Sequence, residues 1–273
     1  MIAAAERIFE FLEENEEIED IENPVSTEGL NGNIRFEHVH FGYDPEKTII
    51  NDFNCDVKEG QKIAIVGPTG AGKTTIVKLL MRFYDVNAGS ILVDGHNIKD
   101  FKRGELRKMF GMVLQDTWLY GGTIKDNIKY SRPDTTDSEV IEAAKAAHVH
   151  HYIKTLSKGY DAVINEESNN ISAGQKQLLT IARVILANPK ILILDEATSS
   201  IDTRTEQQIQ AAMDNLMKGR TSFIIAHRLS TIKNADLILV MDHGDIVEQG
   251  NHEELIVKDG FYAKLYNSQF DEQ

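Results

Sequence analysis

This 273-residue sequence has little cysteine, no long apolar run and no cluster of positive charge. Its single cysteine, Cys55, excludes an internal disulfide and fits a reducing compartment. No run of apolar residues approaches the ~20 that cross a bilayer. The first residues also lack the charged segment and apolar core of a signal peptide. From these absences we expect the chain, as given, to be soluble.

The charge balance argues against a nucleic-acid partner. The chain has 43 acidic and 29 basic side chains, a net charge of −14, whereas a protein that follows a phosphate backbone needs clustered Lys and Arg. Apolar residues make up 41% of the sequence and charged residues 26%, which is ordinary for a globular protein. A chain of this length buries a full hydrophobic core in one or two domains.

Residues 67–74 match the phosphate-binding loop pattern G-x-x-x-x-G-K-[ST] at every fixed position. The apolar run at 62–66 predicts a buried strand before the loop, and apolar residues at helical spacing over 75–81 predict a helix after it. Glycines let such a loop approach an anion, because a Cβ there would collide with it. We expect Lys73 to contact the β- and γ-phosphates of a nucleotide and the Thr74 hydroxyl to bind Mg²⁺. The alternative, an ordinary glycine-rich turn, is disfavoured by these flanks.

A second apolar run, at 191–194, ends in two carboxylates, Asp195 and Glu196. The run predicts a buried parallel strand, which we expect directly beside the strand that carries the phosphate loop. The first carboxylate is then placed to serve Mg²⁺ and the second to polarise an attacking water.

Strands alternate with helices along the chain, which predicts an α/β sheet. Capping boxes at 136–139 and 172–175 open two predicted helices, one that runs through residue 151 and one over 173–187. Residues 123–188 are predicted to be mostly helical, and the insert between 115 and 189 is predicted to form a separate lobe. Further strands are predicted at 33–43, 49–57, 89–93, 112–114 and 222–226, with a hairpin over 237–248.

Residues 1–20 predict one acidic, amphipathic helix with a thin apolar stripe. Such a helix has little to bury by itself. It is either the tail of a membrane-spanning part that this sequence lacks or a frayed surface helix.

Together these motifs make the chain resemble the nucleotide-binding domain of an ATP-binding-cassette (ABC) exporter, of the half-transporter kind that exports drugs or lipids. The resemblance runs from about Ile34 to Phe270, and the order and spacing of the motifs agree with that family. Residues 122–128 are similar to exporters more than to importers. Further matches are the adenine-stacking aromatic Tyr43, the Q-loop Gln115, the signature at 171–175, the D-loop at 200–202 and the switch histidine His227.

The resemblance implies an α/β fold with a P-loop NTPase core on a mixed β-sheet, an N-terminal antiparallel β-subdomain and an inserted α-helical subdomain at about 123–188. It places residues 1–30 in an acidic helix and linker from a transmembrane domain, and residues 31–270 in the nucleotide-binding domain. The implied function is ATP hydrolysis that powers export across a membrane, at the cytoplasmic face of the cell membrane. The implied partners are the transmembrane domain and a second nucleotide-binding domain, paired head to tail around two ATP molecules.

The resemblance also assigns residues to ATP and Mg²⁺. The catalytic set is Glu196, His227, Gln115 and Lys73, and the Mg²⁺ set is Thr74, Gln115 and Asp195. The residues that contact the nucleotide are Tyr43, Gly67, Pro68, Thr69, Gly70, Ala71, Gly72, Lys73, Thr74, Thr75, Ser172, Ala173, Gly174, Gln175 and Asp202.

The sequence departs from the family pattern at two places. Ala173 stands where the signature Leu-Ser-Gly-Gly-Gln usually has its first glycine, and residues 165–168 have no glycine where exporters often carry Gly-Glu-Arg-Gly. Such changes are like those in one half of heterodimeric exporters. They leave open whether the site that this signature completes is fully active, and whether the pair is a homodimer or a heterodimer.

Two other functions compete with the exporter. A soluble cassette ATPase that acts on DNA or ribosomes would need a basic surface or a long coiled-coil insert, and the sequence has neither. A regulatory cassette that binds ATP without turnover would not need Glu196 and His227, which are both present.

Two smaller features complete the analysis. His148, His150 and His151 are grouped at a predicted helix end without a cysteine or an evident fourth ligand, so a solvated helix end is favoured over a metal site. Trp118 and Tyr120 are either core or a partner surface. The resemblance places them near the transmembrane coupling helices and favours partner contact.

Overall fold

The computed structural model describes residues 2–13, 17–44, 46–114, 116–165, 170–195, 201–226 and 229–270. The helices are α1 (Ile2–Glu13), α2 (Lys73–Leu80), α3 (Arg103–Lys108), α4 (Ile124–Lys129), α5 (Asp137–Ala146), α6 (His150–Thr155), α7 (Ala173–Ala187), α8 (Thr203–Met217), α9 (Leu229–Lys233), α10 (His252–Val257) and α11 (Phe261–Phe270). The strands are β1 (Ile34–Phe41), β2 (Ile50–Val57), β3 (Lys62–Val66), β4 (Ala88–Val93), β5 (His96–Asn97), β6 (Phe110–Val113), β7 (Gly122–Thr123), β8 (Val163–Ile164), β9 (Ile191–Asp195), β10 (Thr221–Ile225), β11 (Leu237–Asp242) and β12 (Asp245–Gly250).

Two main sheets organise these strands. The larger has the order β12-β11-β3-β10-β9-β6 and is parallel except for the β11–β12 hairpin. The smaller is antiparallel, in the order β2-β1-β4-β5. The predicted mixed sheet, antiparallel subdomain and helical insertion are therefore confirmed.

The parallel strands bury both faces, which is why they read as continuous apolar runs. Alternate residues of β3 point to opposite sides. Ile63 and Ile65 join a core with the antiparallel sheet, α2 and α3. Ala64 and Val66 join a core with the helices between β6 and β9. The helical insertion thus shares one continuous hydrophobic core with a face of the large sheet.

One expected neighbour relation is wrong. We expected β9 directly beside β3, but β10 lies between them and pairs with both in parallel. Residues 221–225 are buried throughout, so this strand has the character of a sheet centre. The consequence for the site is small, because parallel strands end at the same edge of a sheet, and Ile225 at the end of β10 pairs with both Ile65 and Asp195.

Helix boundaries follow the predicted caps. Both capping boxes form, and the second opens α7 at the predicted residue. The helix that begins after Thr136, however, ends at Ala146 and does not run through residue 151. The reason is a left-handed turn at His148, where φ is 57°, before α6 begins at His150.

The N-terminal helix is shorter than predicted. α1 ends at Glu13, and residues 17–20 have no helical structure. The Arg103 guanidinium donates to the Ile18 carbonyl at 2.6 Å and to Asp20 Oδ1 at 3.0 Å. These bonds hold residues 17–20 against the start of α3.

The apolar stripe of α1 lies in solvent. Ile8, Phe11 and Leu12 are 60%, 79% and 68% exposed. None of the described helices combines the length and the apolar character that a membrane span requires. Cys55, by contrast, lies buried in β2, and burial raises the pKa of its thiol to about 12.

Candidate nucleotide-binding site

The phosphate loop connects β3 to α2 and requires its glycines for different reasons. Gly67, Gly70 and Gly72 all have positive φ, at 150°, 86° and 99°. A Cβ on Gly67 would lie 2.1 Å from the Met241 carbonyl oxygen, and one on Gly72 would lie 2.8 Å from Ile50 Cδ1. A Cβ on Gly70 would meet nothing within 4 Å. The positive φ therefore favours glycine at all three positions. At Gly67 and Gly72 close packing against the rest of the protein is a second reason.

Lys73 bridges the loop from the first position of α2. Its Nζ donates to the carbonyls of Gly67 at 2.8 Å and Pro68 at 2.9 Å. Burial lowers the pKa of this ammonium, and the Asp195 carboxylate acts against that shift. The Lys73 ammonium is thus bonded to two carbonyls of the loop, and phosphate oxygens of a nucleotide would replace these carbonyls as its acceptors.

A cavity of about 410 Å³ adjoins the loop. Apolar atoms of Ile49 and Ile225 form part of its wall, and sequence analysis did not single out either residue. Ile225 is the last residue of β10, and its pairing with Ile65 and Asp195 brings it to the site. The rest of the lining is Thr69, Gly70, Gly72, Lys73, Thr74, Thr75 and Asp195.

The donor set in this cavity fits Mg²⁺ together with a nucleotide. The Thr74 hydroxyl and the Asp195 carboxylate supply hard oxygen ligands, and Mg²⁺ in phosphate sites needs only one or two protein groups besides substrate phosphates and water. Within the described ranges no cluster of three or more His, Cys, Asp or Glu side chains forms a metal cage. Gln115, Glu196 and His227 lie outside the described residues, but the strands β6, β9 and β10 that precede them end at this sheet edge.

Tyr43 lies in a cluster of aromatic rings beside α2. Its ring is nearly perpendicular to those of Phe41 and Tyr84, with centroids 5.0 and 4.9 Å away. The Lys78 ammonium lies 5.5 Å from the Tyr43 centroid, and the Tyr43 hydroxyl is 3.4 Å from Thr75 Oγ1. Tyr43 is 45% exposed, so the ring is held in place next to the phosphate loop while part of it remains accessible.

The signature residues begin α7 and do not line the cavity. The Ser172 side chain caps the helix by accepting from the Gln175 N–H, and the Gln175 side chain accepts from the Ser172 N–H. Ser172 and Ala173 are exposed, whereas Gly174 is buried. None of these described residues contributes to the cavity wall around Lys73.

Asp202 begins the neighbouring helix, α8. Its carboxylate accepts from the Thr205 N–H at 3.0 Å, and hydrogen bonds from Thr205 lower its pKa. Gly174 packs against the same Thr205, since a Cβ on this glycine would lie 2.3 Å from Thr205 Cγ2. The start of α7 and the start of α8 are therefore one packed unit.

Comparison with known proteins identifies the chain. A family model described as ABC transporter matches residues 50–199. The chain belongs to the ABC transporter family. It is 54% identical over 270 residues to the ABC transporter ATP-binding protein YfiC of Bacillus subtilis (strain 168), a match that covers 99% of this chain and 45% of the relative.

Two further matches are a curated relative and a solved structure. The chain is 54% identical over 264 residues to a fatty acid ABC transporter ATP-binding/permease protein of Mycobacterium tuberculosis (strain CDC 1551 / Oshkosh), covering 97% of this chain and 42% of that protein. The structure of a bacterial Atm1-family ABC exporter with ATP bound matches with a TM-score of 0.88 and 41% identity, over 98% of this chain and 47% of that one. This chain spans less than half the length of these proteins.

The predicted family is thus confirmed, and with it the assignment as an ATP-binding domain. Domains of this family are ATPases. The roles of individual residues remain predictions.

For the ABC domain we predict that Tyr43→Ala weakens ATP binding about fivefold, since loss of one stacked ring costs on the order of 1 kcal/mol. Tyr43→Phe is the matched control, because it keeps the ring and removes only the hydroxyl near Thr75. Calorimetric titration with ATP measures both. Unchanged affinity in the alanine variant would assign Tyr43 to packing alone.

A second prediction concerns the signature. Gly174→Ala forces Thr205 or the start of α8 to move, and we expect a loss of about 1–3 kcal/mol of unfolding free energy. Ala173→Gly, at the exposed neighbouring position, is the control and should change stability far less. Urea denaturation compares the two variants. Equal stability of Gly174→Ala and wild type would show that Thr205 and the start of α8 can move to accept the methyl group without loss of stability.

The three grouped histidines have separate surroundings. His150 Nδ1 lies 2.8 Å from the Tyr160 hydroxyl, and His148 Nε2 lies 3.4 Å from the Asn215 amide nitrogen. His151 is exposed. These side chains diverge around α6 and do not form a common metal site among the described residues.

Proposed function

We propose that this chain is the ATPase module of an ABC exporter and that it acts as one half of a head-to-tail pair. The observation that carries the proposal is the division of the ATP machinery within one chain. Lys73, Thr74 and Asp195 share one cavity, while the capped start of α7 is exposed and lies outside it. An exposed helix N-terminus suits a phosphate supplied from elsewhere, and a second domain would supply it.

The residues of this chain divide the work on ATP. Loop N–H groups and the Lys73 ammonium neutralise the phosphates, and the Tyr43 ring stacks on the adenine. Thr74, Asp195 and Gln115 would hold Mg²⁺, whose charge offsets that of the β- and γ-phosphates. Glu196 polarises the attacking water, and His227 holds the γ-phosphate in the geometry of attack. In the pair, Ser172, Gly174, Gln175 and Asp202 of one domain close the nucleotide site of the other domain.

The membrane side of the proposal rests on the relatives and on α1. Relatives at 54% identity are named ATP-binding/permease proteins and are about twice as long as this chain. The exposed apolar residues of α1 need a covering partner, and the end of a transmembrane domain supplies one. We assign the domain to the cytoplasmic face, where ATP is available, and exclude nucleic acid because of the net charge of −14.

The test is ATP turnover by the purified chain as a function of its concentration. Two domains that share two sites require association, so we expect the turnover per chain to rise with protein concentration and to need Mg²⁺. Sedimentation with and without ATP measures the pairing directly. ATP binding without turnover at any concentration would favour the regulatory cassette, and turnover independent of concentration would contradict the shared site.

The partner is either a second copy of this chain or a related chain, and Ala173 in the signature motivates the second alternative. If the pair is a homodimer, the purified chain alone is active. An inactive chain that becomes active when mixed with a related half-transporter domain would favour the heterodimer, in which the altered signature completes the weaker site.

A further inference from the structure

Arg183 connects three segments of the helical insertion. It lies near the end of α7, eleven residues after the capping Ser172. Its Nε donates to the Asn127 carbonyl at 2.9 Å, one terminal nitrogen donates to the Trp118 carbonyl at 3.2 Å, and the other donates to Asn127 Oδ1 at 3.1 Å. All three guanidinium nitrogens are therefore used between α7, α4 and the segment before β7.

The same guanidinium packs on an aromatic surface, which we define as Trp118, Tyr120 and Tyr130. Its central carbon lies 5.1 Å from the Tyr130 centroid and 6.0 Å from that of Trp118. The three rings contact one another, with centroids 5.7–6.2 Å apart. Trp118 and Tyr130 are 58% and 57% exposed, so the surface is open to solvent. Cation–π contacts of this kind add to the hydrogen bonds.

Asn127 fixes the position of residues 117–120, the segment that carries Trp118 and Tyr120. Its side chain is buried, donates to the Tyr120 carbonyl at 3.0 Å and accepts from the Tyr120 N–H at 3.1 Å. Residues 117–120 have no helix or strand of their own. Their path is therefore set by contacts to α4 and α7, and Arg183 makes the contact to α7.

We propose that Arg183 is a positioning residue that makes the aromatic surface and the signature end of α7 move as one rigid body. A helix rises about 1.5 Å per residue, so the eleven residues from Ser172 to Arg183 span about 17 Å along α7. A change in the position of Ser172 on nucleotide-dependent pairing is then transmitted to Trp118, and pressure on the aromatic surface is transmitted back to the signature. The inference rests on the proposed function, since it needs the signature to move when nucleotide binds.

The sequence offers a direct probe, because Trp118 is its single tryptophan. The experiment titrates the chain with the non-hydrolysable analogue AMP-PNP and Mg²⁺, and records tryptophan emission, while calorimetry records binding. The test variants are Arg183→Gln and Arg183→Lys. The control is Arg132→Gln, because Arg132 donates to the Leu186 carbonyl of the same helix at 3.2 Å and lies outside the aromatic surface as defined.

We expect wild type and Arg132→Gln to change their emission on binding. Both Arg183 variants should bind the analogue with unchanged affinity and lose most of the emission change, because the bonds that join α7 to the Trp118 segment are removed. Lysine keeps the charge but has all its donors on one nitrogen, so it cannot span the three acceptors that the planar guanidinium reaches and should not rescue the response. A full response in either Arg183 variant would overturn the proposal.

A measurement without variants covers the case in which the Arg183 substitutions fail to fold. Hydrogen exchange of residues 116–123 in wild type should slow when AMP-PNP binds. Unchanged exchange and unchanged emission, with binding shown by calorimetry, overturn the coupling alone. Absence of binding overturns the proposed function as well, so the two failures are distinguishable.

Discussion

Lys73→Ala abolishes ATP binding in a calorimetric titration that detects it readily in wild type. The Nζ atom donates to the carbonyls of Gly67 and Pro68 and lies in the cavity that Thr74 and Asp195 line. With ATP present these donors turn to phosphate oxygens, and a charge-assisted hydrogen bond contributes about 1.5–3 kcal/mol. Loss of two such bonds weakens binding on the order of 100-fold to 10,000-fold.

The matched control is Lys108→Ala, which removes the same charge from an exposed pair with Glu105 and should leave affinity unchanged. A second readout separates binding from folding. Burial lowers the pKa of Lys73, so the desolvation of its charge offsets part of the stabilisation from its two hydrogen bonds to loop carbonyls, and removing the side chain should change the stability of the fold little. We expect the unliganded melting temperature to change little and the ATP-dependent increase to vanish. Wild-type affinity in Lys73→Ala would refute the phosphate-loop assignment.

Glu196→Gln retains ATP binding and loses hydrolysis by about 100-fold to 10,000-fold, the usual contribution of a general base. The residue follows Asp195, which ends β9 at the edge of the sheet that the phosphate loop also occupies. An amide keeps the shape of the carboxylate but does not accept the proton of the attacking water.

Phosphate release measured at saturating ATP, together with calorimetric affinity, checks this prediction. Glu142→Gln is the control, because it makes the same chemical change on the exposed surface of α5. Near wild-type turnover in Glu196→Gln would assign the base to another residue. Loss of binding in that variant would instead give Glu196 a role in holding the nucleotide.

Features whose partners lie a few residues apart were predictable from the sequence. The capping box that opens α7 is an example, since Ser172 and Gln175 bond each other within one turn. The phosphate loop is another, because its spacing and its flanking apolar runs are local patterns. The helix after Thr136 was predicted too long, since the left-handed conformation of His148 leaves no clear mark in a helical composition.

What the sequence alone determined about this protein is its family, its fold class and the pattern of its phosphate loop, because each depends on short-range spacing and apolar periodicity. Only the tertiary structure placed β10 between β3 and β9, set Gly67 against the Met241 carbonyl and joined Arg183 to the Trp118 segment. These contacts join residues that are distant in the chain, and a linear pattern does not record which distant atoms pack together. Close packing in the folded core selects them.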